Sequence, residues 1–245
     1  MENAGKIYVV GIGPGDDRMM TKRAAQVLEE CDVIAGYQTY VDAVRPRYPG
    51  KVFFSNGMRG EIERCEKCVE MARGGSAVAL ICSGDAGVYG MASPLLEVAE
   101  RAGFSDVEIV AGVTAANSGA ALLGAPLGSD HCSISLSDLL TPWEQIEKRL
   151  RCAAEGDFCI VIYNPASRNR AAHLQKACGI LLTMLSAETA CGYVKNIGRE
   201  GEEMHCCTLR ELAGISADMF TTAFVGNSRT RIADGRLITP RGYRL

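Results

Sequence analysis

Residues 77–91, Ala77-Val78-Ala79-Leu80-Ile81-Cys82-Ser83-Gly84-Asp85-Ala86-Gly87-Val88-Tyr89-Gly90-Met91, constrain the fold more than any other stretch of the chain. The apolar run from Ala77 to Cys82 reads as a strand buried on both faces, which is the pattern of a parallel sheet covered by helices. The run stops at Ser83-Gly84-Asp85, and Gly87 and Gly90 follow. A strand tip that loses its side chains in this way lets a ligand approach the backbone, and Asp85 brings one carboxylate to bare peptide N–H groups. Taken alone, the motif also fits an ordinary strand-to-helix turn in which Ser93 caps the helix and Pro94 starts it.

The same unit recurs on either side. Residues 7–10 form a first strand that runs into Gly11-Ile12-Gly13-Pro14-Gly15-Asp16, and a helix over 21–31 carries Ala24, Leu28 and Cys31 along one face. The third glycine of a dinucleotide fingerprint would fall at position 16, where Asp16 would set a carboxylate against a pyrophosphate, so NAD binding is excluded. Strands are predicted over 33–37 and 52–54. A helix over 61–73 places Ile62, Cys65, Val69 and Ala72 on one face, so Cys65-x-x-Cys68 reads as packing and not as half of a zinc or redox site. Residues 107–110 give a fifth strand that opens on Ala111-Gly112-Val113-Thr114-Ala115-Ala116. Strands and helices in alternation, with small residues at the strands' carboxyl ends, predict a parallel sheet with its ligand at those ends.

A helix over 114–123 is stopped by Gly124-Ala125-Pro126-Leu127-Gly128-Ser129. This places a first domain at 1–124, a linker at 125–132 and a second α/β domain at 133–245. The second domain opens with a strand over 133–136 and a helix start at Thr141-Pro142-Trp143-Glu144, with Thr141 as cap, Pro142 as first helical residue and Glu144 closing a capping box. Trp143, Ile146 and Leu150 share a face of that helix. A buried strand over 158–163 ends in Asn164-Pro165-Ala166-Ser167 ahead of a helix over 170–185. Further strands are predicted over 190–194, 204–207 and 220–225.

With 245 residues, of which 47% are hydrophobic, the chain is able to bury one large core or two modest ones. A formal net charge of −3 excludes a general nucleic-acid scaffold. No apolar run approaches the ~20 residues of a membrane span, and no basic-then-apolar leader opens the chain. Eleven cysteines, several inside apolar runs, are typical of reduced, cytoplasmic proteins. His131, His173 and His205 are too scattered for a triad, and His205-Cys206-Cys207 would alternate faces of a strand, so no metal site is predicted. There is no nucleophile elbow and no phosphate-loop lysine. The residues offer pockets instead of nucleophiles, which suits a reaction whose ligands carry the reactivity while the protein aligns and desolvates them.

Four motifs in order, Gly11-Ile12-Gly13-Pro14-Gly15, residues 83–91, Gly112-Val113-Thr114-Ala115 and Gly124-Ala125-Pro126-Leu127, resemble the tetrapyrrole methylase family, and the likeness covers almost the whole chain. It implies two α/β domains, a homodimer, and S-adenosyl-L-methionine in the cleft between the domains. The cofactor would be lined by Gly84, Asp85, Val88, Tyr89, Thr114, Ala115, Tyr163, Asn164 and Thr222. The loop of Gly11, Gly13, Pro14 and Gly15 would face the tetrapyrrole, a polyanion whose arms Arg168 and Arg170 would help to hold. Lys195, Arg199, Arg229 and Arg231 also follow expected strand ends and join that set. The stretches Ile134-Ser135-Leu136-Ser137-Asp138-Leu139-Leu140-Thr141-Pro142-Trp143, Tyr163-Asn164-Pro165, Val225-Gly226-Asn227 and Thr239-Pro240-Arg241-Gly242-Tyr243 are similar to the branch that methylates C17 of a cobalamin precursor and contracts its ring. The implied substrate is cobalt-factor III or precorrin-3B. Methylation at C11 or C20, or a non-catalytic sensor of the same cofactor, are the alternatives. The family often has His-Asp-Phe-Cys where this chain has Ser129-Asp130-His131-Cys132, and no catalytic residue is assigned.

Overall fold

The computed structural model describes residues 5–167 and 169–244. By its internal contacts the chain divides into Met1–Thr114 and Ala115–Leu245. In the first unit the glycine-punctuated apolar runs become β1 (Ile7–Gly11), α1 (Lys22–Glu30), β2 (Val33–Tyr37), α2 (Gln38–Val44), β3 (Val52–Asn56), α3 (Glu61–Arg73), β4 (Val78–Cys82), α4 (Ala92–Ala102) and β5 (Val107–Val110). The strands lie in the order β3-β2-β4-β1-β5, all parallel, with β4 central. Every residue of β4 is buried because its two faces feed two cores. Val78, Leu80 and Cys82 pack with α3 and α4, while Ala79 and Ile81 pack with α1 and α2. Burying a side chain such as Leu80 or Ile81 stabilises by about 1.5–3 kcal/mol, which is why this run dominates the unit. Cys65 and Cys68 are fully buried in the first of these cores.

Two helices of this unit differ from the sequence reading. α4 begins at Ala92, with Met91 at the cap and no side-chain cap bond. Ser93 lies inside the first turn, where its hydroxyl donates to Glu97 instead of capping. α2 was not predicted; only Val41 and Val44 of its seven residues are buried and no side chain caps it, so it carries no amphipathic signature.

The second unit contains α5 (Ala115–Leu123), β6 (Gly124–Ala125), β7 (His131–Ser135), α6 (Trp143–Glu155), β8 (Cys159–Tyr163), α7 (His173–Leu181), β9 (Ala190–Lys195), β10 (Glu203–Thr208), α8 (Leu209–Leu212), β11 (Thr221–Val225), β12 (Arg231–Ala233) and β13 (Arg236–Ile238). Helix α5 belongs here and does not close the first domain, because Ala116, Ala120 and Leu123 share a core with Val161, Val194, Phe224 and Leu237. Nor is 125–132 a linker. Gly124–Ala125 pairs in parallel with β13, and the buried Thr239 hydroxyl donates to the Pro126 carbonyl at 2.7 Å. α6 starts one residue later than predicted, with Pro142 at the cap, Trp143 as first helical residue and Thr141 outside.

The main sheet of this unit has the order β10-β9-β11-β8-β7 and is mixed, not parallel. β7 runs with β8, whereas β11 is antiparallel to both β8 and β9. The carboxyl ends of β7, β8 and β9 therefore coincide with the start of β11, and the end of β11 lies at the opposite edge. Ser228, just past β11, accordingly donates to Asp157, just ahead of β8.

Candidate functional site

In the first unit the predicted strand tips come together through their backbones. Gly13 and Gly84 exchange hydrogen bonds, at 3.0 Å from the Gly13 N–H and 2.7 Å from the Gly84 N–H. The Gly84 carbonyl is wedged between the neighbouring tips: a Cβ on Gly11 would lie 2.6 Å from it, and one on Gly112 only 2.1 Å. No L side chain fits at such a separation from backbone, so glycine here serves close approach. Asp85 does not present a vacant carboxylate. Its Oδ1 accepts from the Gly87 and Val88 N–H groups at 2.8 and 3.1 Å, and its Oδ2 from the Gly112 N–H at 2.9 Å. The residue staples the tip of β4 to the tip of β5. Beyond the staple, Val88 and Tyr89 are exposed, and Tyr89 has φ of 53°, a conformation that an aromatic residue holds only under constraint. Thr114 is half-buried at the end of this unit. In the loop after β1, Gly11, Gly13 and Pro14 are buried and only Gly15 is exposed, so most of that loop packs inward. Asp16 caps the following turn and holds Arg18, which pulls its carboxyl down to about 2.

In the second unit, Tyr163, Asn164 and Thr222 lie at one end of the sheet. The register that sets Ala223 against Ile162 puts Thr222 level with Tyr163. The Tyr163 hydroxyl accepts from the Ala116 N–H at 2.8 Å and so satisfies a peptide group at the start of α5, next to Ala115. Asn164 is exposed, has φ of 51°, and donates from Nδ2 to Ser135 Oγ at 2.9 Å. Thr222 is buried.

The cationic set divides. Arg170 follows β8, Lys195 is the last residue of β9 and Arg199 follows it, all at the Tyr163 end. Arg229 and Arg231 follow the antiparallel β11 and lie at the other end, so they drop out of the set. Arg168 lies outside the described residues. Arg170 is engaged: Nε donates to Ser167 Oγ at 3.0 Å, Nη1 to Ser137 Oγ at 2.7 Å, and Nη1 is 3.6 Å from Asp138.

That network exposes a pair the sequence reading passed over. His173, the first residue of α7, places Nε2 3.1 Å from Asp138 Oδ2. The hydrogen bond from His173 holds the Asp138 carboxyl below its usual range, with a smaller contribution from Arg170. Trp143 meets the imidazole edge-on, ring centroids 5.0 Å apart, while Lys176 Nζ lies 4.0 Å from the indole centroid. The available signal was the stretch 134–143, whose polar members Ser135, Ser137 and Asp138 all bond to residues of 164–173.

The cysteines offer no alternative chemistry here. Burial pushes the Cys65 thiol up to about 11 and Cys68, Cys178 and Cys207 up to about 12, far from a reactive thiolate. His205 is exposed and stacked on Tyr193, and Cys206 between it and the buried Cys207 points to the opposite face of β10, so the three do not converge. Among the described residues, no three His, Cys, Asp or Glu side chains gather as metal ligands. No helix among them is long and apolar enough to cross a membrane.

Comparison with known proteins assigns these strand tips to a lineage. A probable cobalt-factor III C(17)-methyltransferase of Salmonella typhimurium is 47% identical over 98% of this chain and 100% of its own length. A precorrin-3B C(17)-methyltransferase of a Sinorhizobium species is 38% identical over 98% of this chain and 97% of its own. The crystal structure of the methyltransferase CobJ superposes with a TM-score of 0.89 at 36% identity, covering 96% of this chain and 100% of that one. A uroporphyrin-III C-methyltransferase from Thermus thermophilus, complexed with S-adenosylhomocysteine, shares the fold at a TM-score of 0.68 and 21% identity, over 91% of this chain and 92% of that one. The family model for Tetrapyrrole (Corrin/Porphyrin) Methylases matches residues 6–213, and the chain belongs to that family.

Proposed function

We propose that this chain transfers the methyl group of S-adenosyl-L-methionine to C17 of cobalt-factor III, with contraction of the macrocycle. The observation that carries the reading is the 47% identity to a probable cobalt-factor III C(17)-methyltransferase along the full length of both chains. The match to a precorrin-3B enzyme is lower, at 38%, which favours the cobalt-bearing substrate.

The residues fit a bent, amphipathic cofactor. By the family resemblance Gly84, Asp85, Val88, Tyr89, Thr114, Ala115, Tyr163, Asn164 and Thr222 are assigned to hold it. The exposed Val88 and Tyr89 offer apolar surface beside a turn of bare backbone, and the exposed Asn164 amide offers polar recognition. When bound, the cofactor supplies an electrophilic methyl on a sulfonium; the chain binds, orients and excludes water. On the substrate side, Gly15 is the exposed member of the loop Gly11, Gly13, Pro14 and Gly15, and Arg170, with Arg168, is assigned to the carboxylate arms. The resemblance further implies a cytoplasmic homodimer, which light scattering at micromolar concentration checks for the dimer.

Calorimetry with S-adenosylhomocysteine tests the cofactor, and incubation with carbon-labelled S-adenosyl-L-methionine and cobalt-factor III tests the reaction. Label at C17 of a ring-contracted product is the expected result. Label at C11 or C20 overturns the position but not the class. Cofactor binding without transfer to any macrocycle would identify a sensor.

A further inference from the structure

Ser135, Ser137 and Asp138, at and beyond the carboxyl end of β7, each bond to the segment that follows the parallel neighbour β8. Ser135 accepts from Asn164, Ser137 from Arg170, and Asp138 faces both Arg170 and His173. Two crossover loops at the ligand end of a parallel strand pair are thereby locked around one imidazole. An ionised carboxylate only accepts, so the His173 nitrogen facing Asp138, Nε2, carries the hydrogen and Nδ1 of the neutral ring holds a lone pair. Nδ1 has no hydrogen-bond partner among the described residues. The side chain is 17% exposed, enough to be reached, and the edge contact with Trp143 fixes its plane.

We propose that His173 is the proton acceptor of the methyl transfer and that Asp138 orients it and stabilises its charge. The inference rests on the methyltransferase reading above. In that reaction a π electron pair of the macrocycle forms the new C–C bond, and the S–CH3 bond breaks with its pair remaining on sulfur. The thioether leaves neutral, so the macrocycle carries one additional positive charge; C17 already bears a side chain and has no hydrogen to lose, and the charge is discharged when the oxygen of a water molecule bonds to the cationic ring and one of its O–H bonds breaks, releasing a proton. His173 Nδ1 takes that proton and becomes an imidazolium facing the Asp138 carboxylate. Arg170, 3.6 Å from the other carboxylate oxygen, helps to hold Asp138 in place and is a positioning residue.

The test follows methyl transfer from labelled S-adenosyl-L-methionine to cobalt-factor III by wild type, His173→Ala, His173→Gln and Asp138→Asn. His173→Ala is expected to lose about a hundredfold or more in rate, with S-adenosylhomocysteine affinity within about twofold of wild type. Added imidazole should restore part of that rate, a response that a purely structural role would not produce. His173→Gln, which keeps the side-chain volume, should show the same loss without rescue and covers the case in which the alanine variant does not fold. Asp138→Asn should fall between. A rate within about threefold of wild type in either His173 variant overturns the proposal. So does a folded alanine variant that imidazole fails to restore. A wild-type chain that binds S-adenosylhomocysteine but methylates no macrocycle overturns the methyltransferase reading, and this inference with it.

Discussion

At Asp85 one carboxylate meets three peptide N–H groups, two in its own turn and one in the loop after β5. Asparagine at this position has a single acceptor oxygen, so its NH2 group must face at least one of those donors. Asp85→Asn should therefore cost ~2 kcal/mol, the scale of a hydrogen bond to a charged group, and should weaken S-adenosylhomocysteine binding. Urea unfolding and calorimetry measure the two effects. The neighbouring glycines make a sharper contrast. Gly112→Ala would drive a methyl group to 2.1 Å from the Gly84 carbonyl oxygen, a backbone atom that no rotamer change relieves. Gly87→Ala would meet only Asp85 Oδ1, at 3.4 Å. The first should destabilise by about 3 kcal/mol, at the upper end of overpacking costs, and the second should stay within ~0.5 kcal/mol, as ordinary surface changes do. Equal effects in urea would mean that the tips of β4 and β5 are not locked as described.

Among the elements, β5 shows how a strand edge is tied by charge. Glu108 accepts from Arg23 of α1 at 2.8 Å and lies 2.9 Å from Lys6, which precedes β1. The bond from Lys6 is the largest cause and that from Arg23 the second; together they hold the Glu108 carboxyl below its ordinary value of 4.5. A lowered carboxyl stabilises the fold at pH above its unfolded value, and that contribution disappears as pH falls through the folded value. Wild type should therefore exceed Glu108→Gln in stability at neutral pH, by under ~1 kcal/mol for an exposed pair, with the two converging on acidification below the ordinary carboxylate range. Chemical denaturation at several pH values reads the convergence. The inner strands of the first unit, β1, β2 and β4, were legible in the sequence because each is an apolar run buried in a parallel sheet. The second unit was less so. A strand buried on both faces, such as Phe224 and its neighbours in β11, looks the same whether it runs parallel or antiparallel, so the reversal there left no mark on composition or period. The Asp138–His173 contact was invisible for a related reason: the residues are far apart in sequence, and only the pairing of β7 with β8 brings their loops together.

For the molecule as a whole, the reversal of β11 separates charges that the sequence alone grouped together. The protein is net acidic, with a formal charge of −3, and the proposed substrate is a polycarboxylate. Long-range attraction must then come from cations concentrated at one end, where they raise the local substrate concentration. Lys195 ends β9 and Arg199 follows it at the end shared with Tyr163 and Arg170, whereas Arg229 and Arg231 follow β11 at the opposite end. The two pairs have equal charge, so each double alanine variant changes the net charge equally. Lys195→Ala with Arg199→Ala should raise the KM for cobalt-factor III by roughly tenfold at low ionic strength, and by much less once salt shortens the Debye length to ~8 Å. Arg229→Ala with Arg231→Ala should leave KM nearly unchanged at every salt concentration. Affinity for S-adenosylhomocysteine should be the same in both variants, which separates loss of substrate attraction from damage to the fold. Equal increases in KM for the two pairs would show that net charge, and not its placement by the mixed sheet, governs substrate capture.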